Sequence, residues 1–158
     1  MTKNYALITG STAGIGLDIA RELASRGHNI LLTARREDRL KDIAGQLTLD
    51  FGVHADYVVA DLSEISAPGK IFSFCDSHQY AVNILVNNAG YSINKKFHET
   101  GEDEEEKFLR VLGTSVVALT KRFIPRHVEI TIRKDYVGIF FGSFCSSSYR
   151  MGSALWPS

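Results

Sequence analysis

Apolar runs of strand length alternate with helical patterns along most of this 158-residue chain, and that alternation implies a parallel sheet whose strands are joined by crossover helices. The first run is Tyr5 to Thr9. From Ile15 to Arg26, Ile15, Ile19, Ala20 and Leu23 fall on one helical face, and Gly27 closes the helix. His28 to Thr33 reads as a second strand, and Glu37 to Leu49 as a helix with Leu40, Ile43, Ala44 and Leu47 turned inward. A third strand fits Ala55 to Ala60, a helix fits roughly Pro68 to Gln79, and a fourth strand fits Val82 to Val86. Thr100-Gly101-Glu102-Asp103 fits a capping box, and Glu104, Glu105 and Glu106 then favour the positive end of a helix dipole. This acidic run is expected to be a solvated first turn, not a metal or partner site. The helix is predicted to run unbroken through Phe108, Leu109, Leu112, Val116, Leu119 and Phe123 to the Pro125 region, with Val137 to Phe141 as a fifth strand. No linker or low-complexity tract divides the chain, so residues 1–158 read as one domain.

Charge and composition exclude several classes of function. The 18 Lys and Arg balance the 18 Asp and Glu, and the signs are interleaved, so there is no basic footprint for nucleic acid or anionic lipid. Cys75 and Cys145 are too few for a disulfide framework, and Cys75-x-x-His78 stands alone without a second pair of zinc ligands. No apolar run approaches the roughly 18 to 20 residues that span a bilayer, and no secretory signal pattern follows Met1, so the expected location is the cytoplasm.

Between the first strand and the first helix lies Thr9-Gly10-Ser11-Thr12-Ala13-Gly14-Ile15-Gly16. A glycine-rich turn in that position lets backbone approach a pyrophosphate, while the helix start supplies free N–H groups and a positive dipole end. Gly10 would allow the tight turn, Gly14 the phosphate approach and Gly16 close helix packing. Gly10, Ser11, Thr12, Ala13, Gly14, Ile15 and Gly16 are therefore the candidate phosphate cradle. At the end of the second strand, where an NAD site wants a carboxylate for the ribose 2′-OH, the chain has Thr33-Ala34-Arg35-Arg36. Arg35 or Arg36 could pair a 2′-phosphate through a planar fork of donors, which argues for NADP over NAD. The alternative is that both arginines are surface charges paired with Glu37 and Asp38.

With Thr9-Gly10-x-x-x-Gly14-Ile15-Gly16, Asp61-Leu62 and Asn87-Asn88-Ala89-Gly90 following the first, third and fourth strands, the sequence resembles the short-chain dehydrogenase/reductase family over about residues 3 to 126. The resemblance implies a Rossmann-type doubly wound α/β fold: a three-layer α/β/α arrangement with strand order 3-2-1-4-5, lacking the C-terminal strands. It implies that Asp61 and Leu62 contact the adenine. Asn87, Asn88, Ala89 and Gly90 would shape the adenosine-ribose wall and brace the sheet. The implied chemistry is hydride transfer between nicotinamide and a small carbonyl or alcohol, in a homodimer or homotetramer.

The family's acid/base is a Tyr whose pKa a Lys lowers, four residues on, with a substrate-orienting Ser thirteen residues before the Tyr. Tyr91-Ser92-Ile93-Asn94-Lys95 is the one Tyr-x-x-x-Lys in the chain, but it follows the fourth strand and has no serine thirteen residues before it, so it is not assigned that role. Of Ser143, Ser146, Ser147 and Ser148, spacing to Gly152 favours Ser146 as the substrate-oxygen ligand, which would put the Tyr at position 159. Ser147 would put it one place later, and Ser143 would put it at Trp156. The expectation is a chain that stops just before its catalytic Tyr and Lys. Leu112 stands where the family usually carries an Asn that holds a water in the proton relay, and leucine cannot hydrogen-bond a water. The competing expectations are a non-catalytic dinucleotide-binding or regulatory protein, or a gene fragment that does not fold stably.

Overall fold

The computed structural model describes residues 3–130. The chain runs β1 (Lys3–Thr9), α1 (Gly14–Ser25), β2 (Asn29–Ala34), α2 (Glu37–Phe51), β3 (Ala55–Val59), α3 (Ala67–Ser77) and β4 (Tyr80–Val86). A 3-10 turn (Phe97–Glu99), α4 (Glu102–Leu109), a π-turn (Arg110–Thr114) and α5 (Ser115–Ile130) follow. All strand pairings are parallel, in the order β3-β2-β1-β4, which are the first four places of the expected 3-2-1-4-5 sheet. The expected fifth strand, Val137 to Phe141, lies outside the described residues.

Period-two alternation assigns the strand side chains to two cores. Along β1, Tyr5 and Leu7 face the layer of α3 and α5, where Ile71, Cys75, Leu119 and Phe123 are buried. Ala6 and Ile8 face the layer of α1 and α2, with Ala20, Leu40, Ile43 and Leu47. Both faces of the sheet are covered, so its strands are nearly continuous hydrophobic runs. Parity breaks once in β4: Tyr5 opposes Val82 but Ala6 opposes Ile84, so Asn83 is an extra residue. That bulge lets Val82 and Leu85 enter the same core despite odd spacing.

Two helical faces differ from the sequence reading. In α1 the fully inward residues are Gly16, Ala20 and Ala24, whereas Ile15 is 65% exposed. A stripe of small residues brings α1 close to the sheet, and Ile15 lies in the first turn, clear of it. The predicted unbroken helix is instead interrupted by the π-turn, which contains one residue more than an α-turn. The inserted residue shifts the buried face by one place on its N-terminal side. Val111 is buried where Leu112 was expected, and Leu109 is exposed, while Val116, Leu119 and Phe123 beyond the turn keep the predicted phase. The Ser115 hydroxyl donates to the Val111 carbonyl at 2.9 Å, a side-chain bond that bends helices locally.

The capping box is also corrected. Gly101, not Thr100, is the N-cap of α4, and no side chain caps it. The Thr100 hydroxyl instead faces the Phe97 carbonyl at 2.6 Å and the Glu105 carboxylate. Glu102 and Asp103 are solvated as expected, but Glu104 accepts both of its contacts from Lys95 Nζ, at 2.7 and 3.0 Å, and so anchors the loop after β4.

Candidate functional site

The site lies at the C-terminal ends of the strands, where the order reverses between β1 and β4. There an open α/β sheet leaves a crevice outside its strand ends. The turn from β1 into α1 forms its floor. Gly10 and Gly14 have φ of +66° and +56°, values that side-chain-bearing residues rarely adopt. A Cβ on Gly10 would stand 2.7 Å from Ala89 Cα, and one on Gly16 would stand 2.3 Å from Asn88 Nδ2 and 2.6 Å from the Gly10 carbonyl oxygen. Those two glycines therefore serve internal packing. Gly14 differs, because a Cβ there meets nothing within 4 Å. Its backbone borders open space at the start of α1.

The two sides of the reversal are tied through Thr9 and Asn88. The Thr9 hydroxyl donates to the Val86 carbonyl at 3.3 Å and accepts the backbone N–H groups of Asn88 at 2.9 Å and Ala89 at 3.0 Å. The Asn88 amide nitrogen donates to the carbonyls of Thr9 at 3.0 Å and Gly10 at 3.1 Å. Asn87 donates to Thr120 Oγ1 at 3.3 Å, joining β4 to α5, while its Oδ1 is buried without a partner among the described residues. Asn88 thus joins the end of β4 to the turn after β1, and Asn87 joins it to α5.

A cleft of about 800 Å³ opens above this floor. Of the candidate residues, Gly10, Thr12, Ala13, Arg35, Arg36, Asp61, Leu62, Ala89 and Gly90 line it. Ser11, Gly16, Asn87 and Asn88 lie beneath or behind, and Gly14 and Ile15 are exposed at the mouth of the turn. Ser146 and the competing serines lie outside the described residues. The sequence reading missed Thr33, Ala34, Ala60, Ser63, Glu64, Lys107 and Val111 as lining residues. Those from the strand ends were inferable from adjacency to the motifs. Lys107 and Val111 arrive by tertiary placement of α4 and the π-turn, for which no local signal exists.

The charges at the cleft are arranged asymmetrically. Arg35 and Arg36 are exposed at the end of β2, and no ion pair involves either of them among the described residues, so the proposed pairing with Glu37 and Asp38 is not observed. On the opposite wall Lys107 Nζ bonds Asp103 at 2.7 Å, and that hydrogen bond raises the ammonium's pKa above its ordinary value. Asp61 is fixed by an Asx turn: its Oδ1 accepts from the Ser63 N–H at 2.9 Å and the Ser63 hydroxyl at 2.8 Å. The first turn of α1 has no acidic residue, and its N-cap, Ala13, offers no side-chain acceptor, so its orphan N–H groups are left for another partner.

Residues 4–133 match the profile of the short chain dehydrogenase family, which accounts for most of the chain. The chain belongs to that family. The chain is 34% identical over 135 residues to a very-long-chain 3-oxoacyl-CoA reductase of Candida glabrata, covering 83% of this chain and 38% of the relative. It is 33% identical over 140 residues to L-xylo-3-hexulose reductase of Hypocrea jecorina, covering 76% of this chain and 46% of the relative. Its structure is similar to that of L-sorbose reductase from Gluconobacter frateurii complexed with NADPH and L-sorbose. The TM-score is 0.76 at 32% identity, over 82% of this chain and 49% of that one. The chain therefore spans less than half the length of these relatives.

Tyr91 and Lys95 lack the geometry of the family's acid/base pair. The segment between them is not helical, so they share no helix face; Lys95 is held by Glu104, and the Tyr91 ring meets Phe108 edge-on at 5.4 Å. Tyr91 lines the cleft.

Proposed function

We propose that this chain forms the dinucleotide-binding part of an NADP-dependent reductase, one domain over residues 1–158, acting on a small carbonyl or alcohol. The observation that carries the reading is the end of β2, where Arg35 and Arg36 line the cleft with no ion-pair partner among the described residues and no carboxylate takes the place an NAD ribose would need. The open space at Gly14 and the uncapped start of α1 suit a pyrophosphate. Arg35 and Arg36 would hold the 2′-phosphate, Asp61 and Leu62 the adenine, and Ala89 and Gly90 the ribose wall, with Asn87 and Asn88 bracing it. Ser11, Thr12, Ala13, Ile15 and Gly16 complete the cradle. NADP, when bound, supplies the hydride chemistry. The protein's contribution from these residues is to bind and orient it at the sheet's switch point.

The relatives named above are reductases, one of them complexed with NADPH, which supports carbonyl reduction. Ser146 is the proposed substrate-oxygen ligand. With Tyr91 and Lys95 unsuited to acid/base work, the 158 residues by themselves are expected to bind NADPH without turning it over. A homodimer or homotetramer and a cytoplasmic location are part of the same reading; among the described residues no helix is long and apolar enough to cross a membrane.

The test is a fluorescence titration of the chain with NADPH and with NADH. NADPH should bind at least about tenfold tighter, the scale of one charge-assisted contact. Replacing Arg35 and Arg36 together with alanine should remove that preference. Equal affinity for the two dinucleotides, or a preference that survives the double replacement, would refute the assignment. Leu112 favours a second reading, non-catalytic dinucleotide binding. Measured oxidation of NADPH by the chain with any carbonyl would eliminate it.

A further inference from the structure

The loop after β3 reaches the cleft through Asp61 and Leu62, yet it is held from outside the cleft by a residue no motif includes. Arg110 opens the π-turn, and its side chain is 21% exposed. One arm of its guanidinium, Nη2, bonds Glu106 one helical turn earlier. The other, Nη1, donates to the Ser63 carbonyl at 3.3 Å, a contact between residues 47 apart in sequence. Ser63 in turn donates both its N–H and its hydroxyl to Asp61 Oδ1, and the Glu64 N–H closes the same loop onto the Asp61 carbonyl at 2.9 Å. Glu106, Arg110, Ser63 and Asp61 therefore form one continuous hydrogen-bonded path from the helix to the cleft wall.

An exposed ion pair four residues apart in a helix contributes little stability. The geometry suggests another use for it: Glu106 fixes the guanidinium so that its second arm stays on Ser63. We infer that Arg110 is a positioning residue for the adenine end of the cleft, acting through Ser63 to set Asp61 and Leu62. The inference rests on the dinucleotide reading above. The π-turn is where this strap originates, so the same local deformation that displaces Val111 into the cleft also brings Arg110 to the loop.

The test measures binding of NADPH and of adenosine 2′,5′-bisphosphate to the full chain, wild type and Arg110→Met, well below the unfolding midpoint of either. Methionine keeps much of the aliphatic stem and removes every donor. Both ligands should lose affinity by the same factor, about tenfold, because the effect is confined to the adenine half they share. Arg110→Lys, which keeps a cationic donor, should recover part of the loss, and in an Asp61→Ala background the Arg110→Met penalty should shrink, since its target has already been removed. If wild type binds and Arg110→Met binds within twofold of it, or if the two penalties simply add, the inference is overturned while the dinucleotide reading stands. If wild type binds neither ligand, both fall together. Should Arg110→Met fail to fold, Glu106→Gln provides the second perturbation: it frees the guanidinium from its anchor and should weaken both ligands in parallel, and unchanged affinity there would again refute the positioning role.

Discussion

Gly16→Ala is expected to destabilise the glycine turn strongly, and its cost follows from where the methyl would go. The added carbon would lie 2.3 Å from Asn88 Nδ2 and 2.6 Å from the Gly10 carbonyl oxygen, both far inside contact distance. Neither neighbour can move freely. Asn88 Nδ2 is engaged with the Thr9 and Gly10 carbonyls, and Gly10 N–H is bonded to the Thr33 carbonyl at 2.9 Å. Overpacking costs roughly 1–3 kcal/mol, and losing the two Asn88 bonds adds about 1 kcal/mol each. The stiffer unfolded chain and better helix propensity of alanine return at most about 1 kcal/mol. A net loss of about 2–4 kcal/mol is therefore expected in urea unfolding, at unchanged slope. Gly14→Ala supplies the contrast: its methyl meets nothing, so only the positive φ is penalised, about 1–2 kcal/mol, while NADPH affinity should fall steeply because the methyl occupies the anion's approach. A Gly16→Ala chain within 0.5 kcal/mol of wild type would refute the packing argument.

Three further outcomes are expected. Phe123→Ala, at a fully buried ring packed against Phe72, should cost about 3–5 kcal/mol in the same urea experiment, and a loss below 1 kcal/mol would mean that α5 is not docked as described. Stability should decline above pH 10, because Tyr80 and Tyr5 have pKa values raised from the ordinary 10.0, mainly by burial. The folded state keeps those protons while the unfolded state releases them, so the contribution is full below pH 10 and falls by up to about 1.4 kcal/mol per pH unit per tyrosine above it. Tyr80→Phe should flatten this alkaline limb, and an unchanged limb would exclude Tyr80 as its source. Raising salt should weaken NADPH binding more than NADH binding, since the proposed phosphate contacts at Arg35 and Arg36 are exposed; parallel salt dependences would argue against them.

How far the sequence could be read depends on whether each feature is determined locally. The first four strands, the α2 face of Leu40, Ile43, Ala44 and Leu47, and the turn at Gly10 to Gly16 follow from periodicity and backbone allowance, and the structure has them. What could not be read was a displacement by one residue. A 3.6-residue period carried back from Val116, Leu119 and Phe123 places Leu112 and Leu109 inside, but the π-turn adds a residue and turns Val111 inward instead. The same blindness hid Lys107 and Val111 from the list of cleft residues and Arg110 from the list of residues that hold the β3 loop, since all three lie where the helix changes phase between α4 and α5. The Ser115 hydroxyl on the Val111 carbonyl is one local cause, yet serine in a helix has that option in many places without using it. The deciding factor is tertiary. The guanidinium of Arg110 has a carbonyl to reach on the β3 loop, and Phe123 and Leu119 have a sheet face to cover; one extra residue between them lets a single helical segment satisfy both. Local propensity and global packing disagree at this turn, and such disagreement concentrates where a fold positions a binding site.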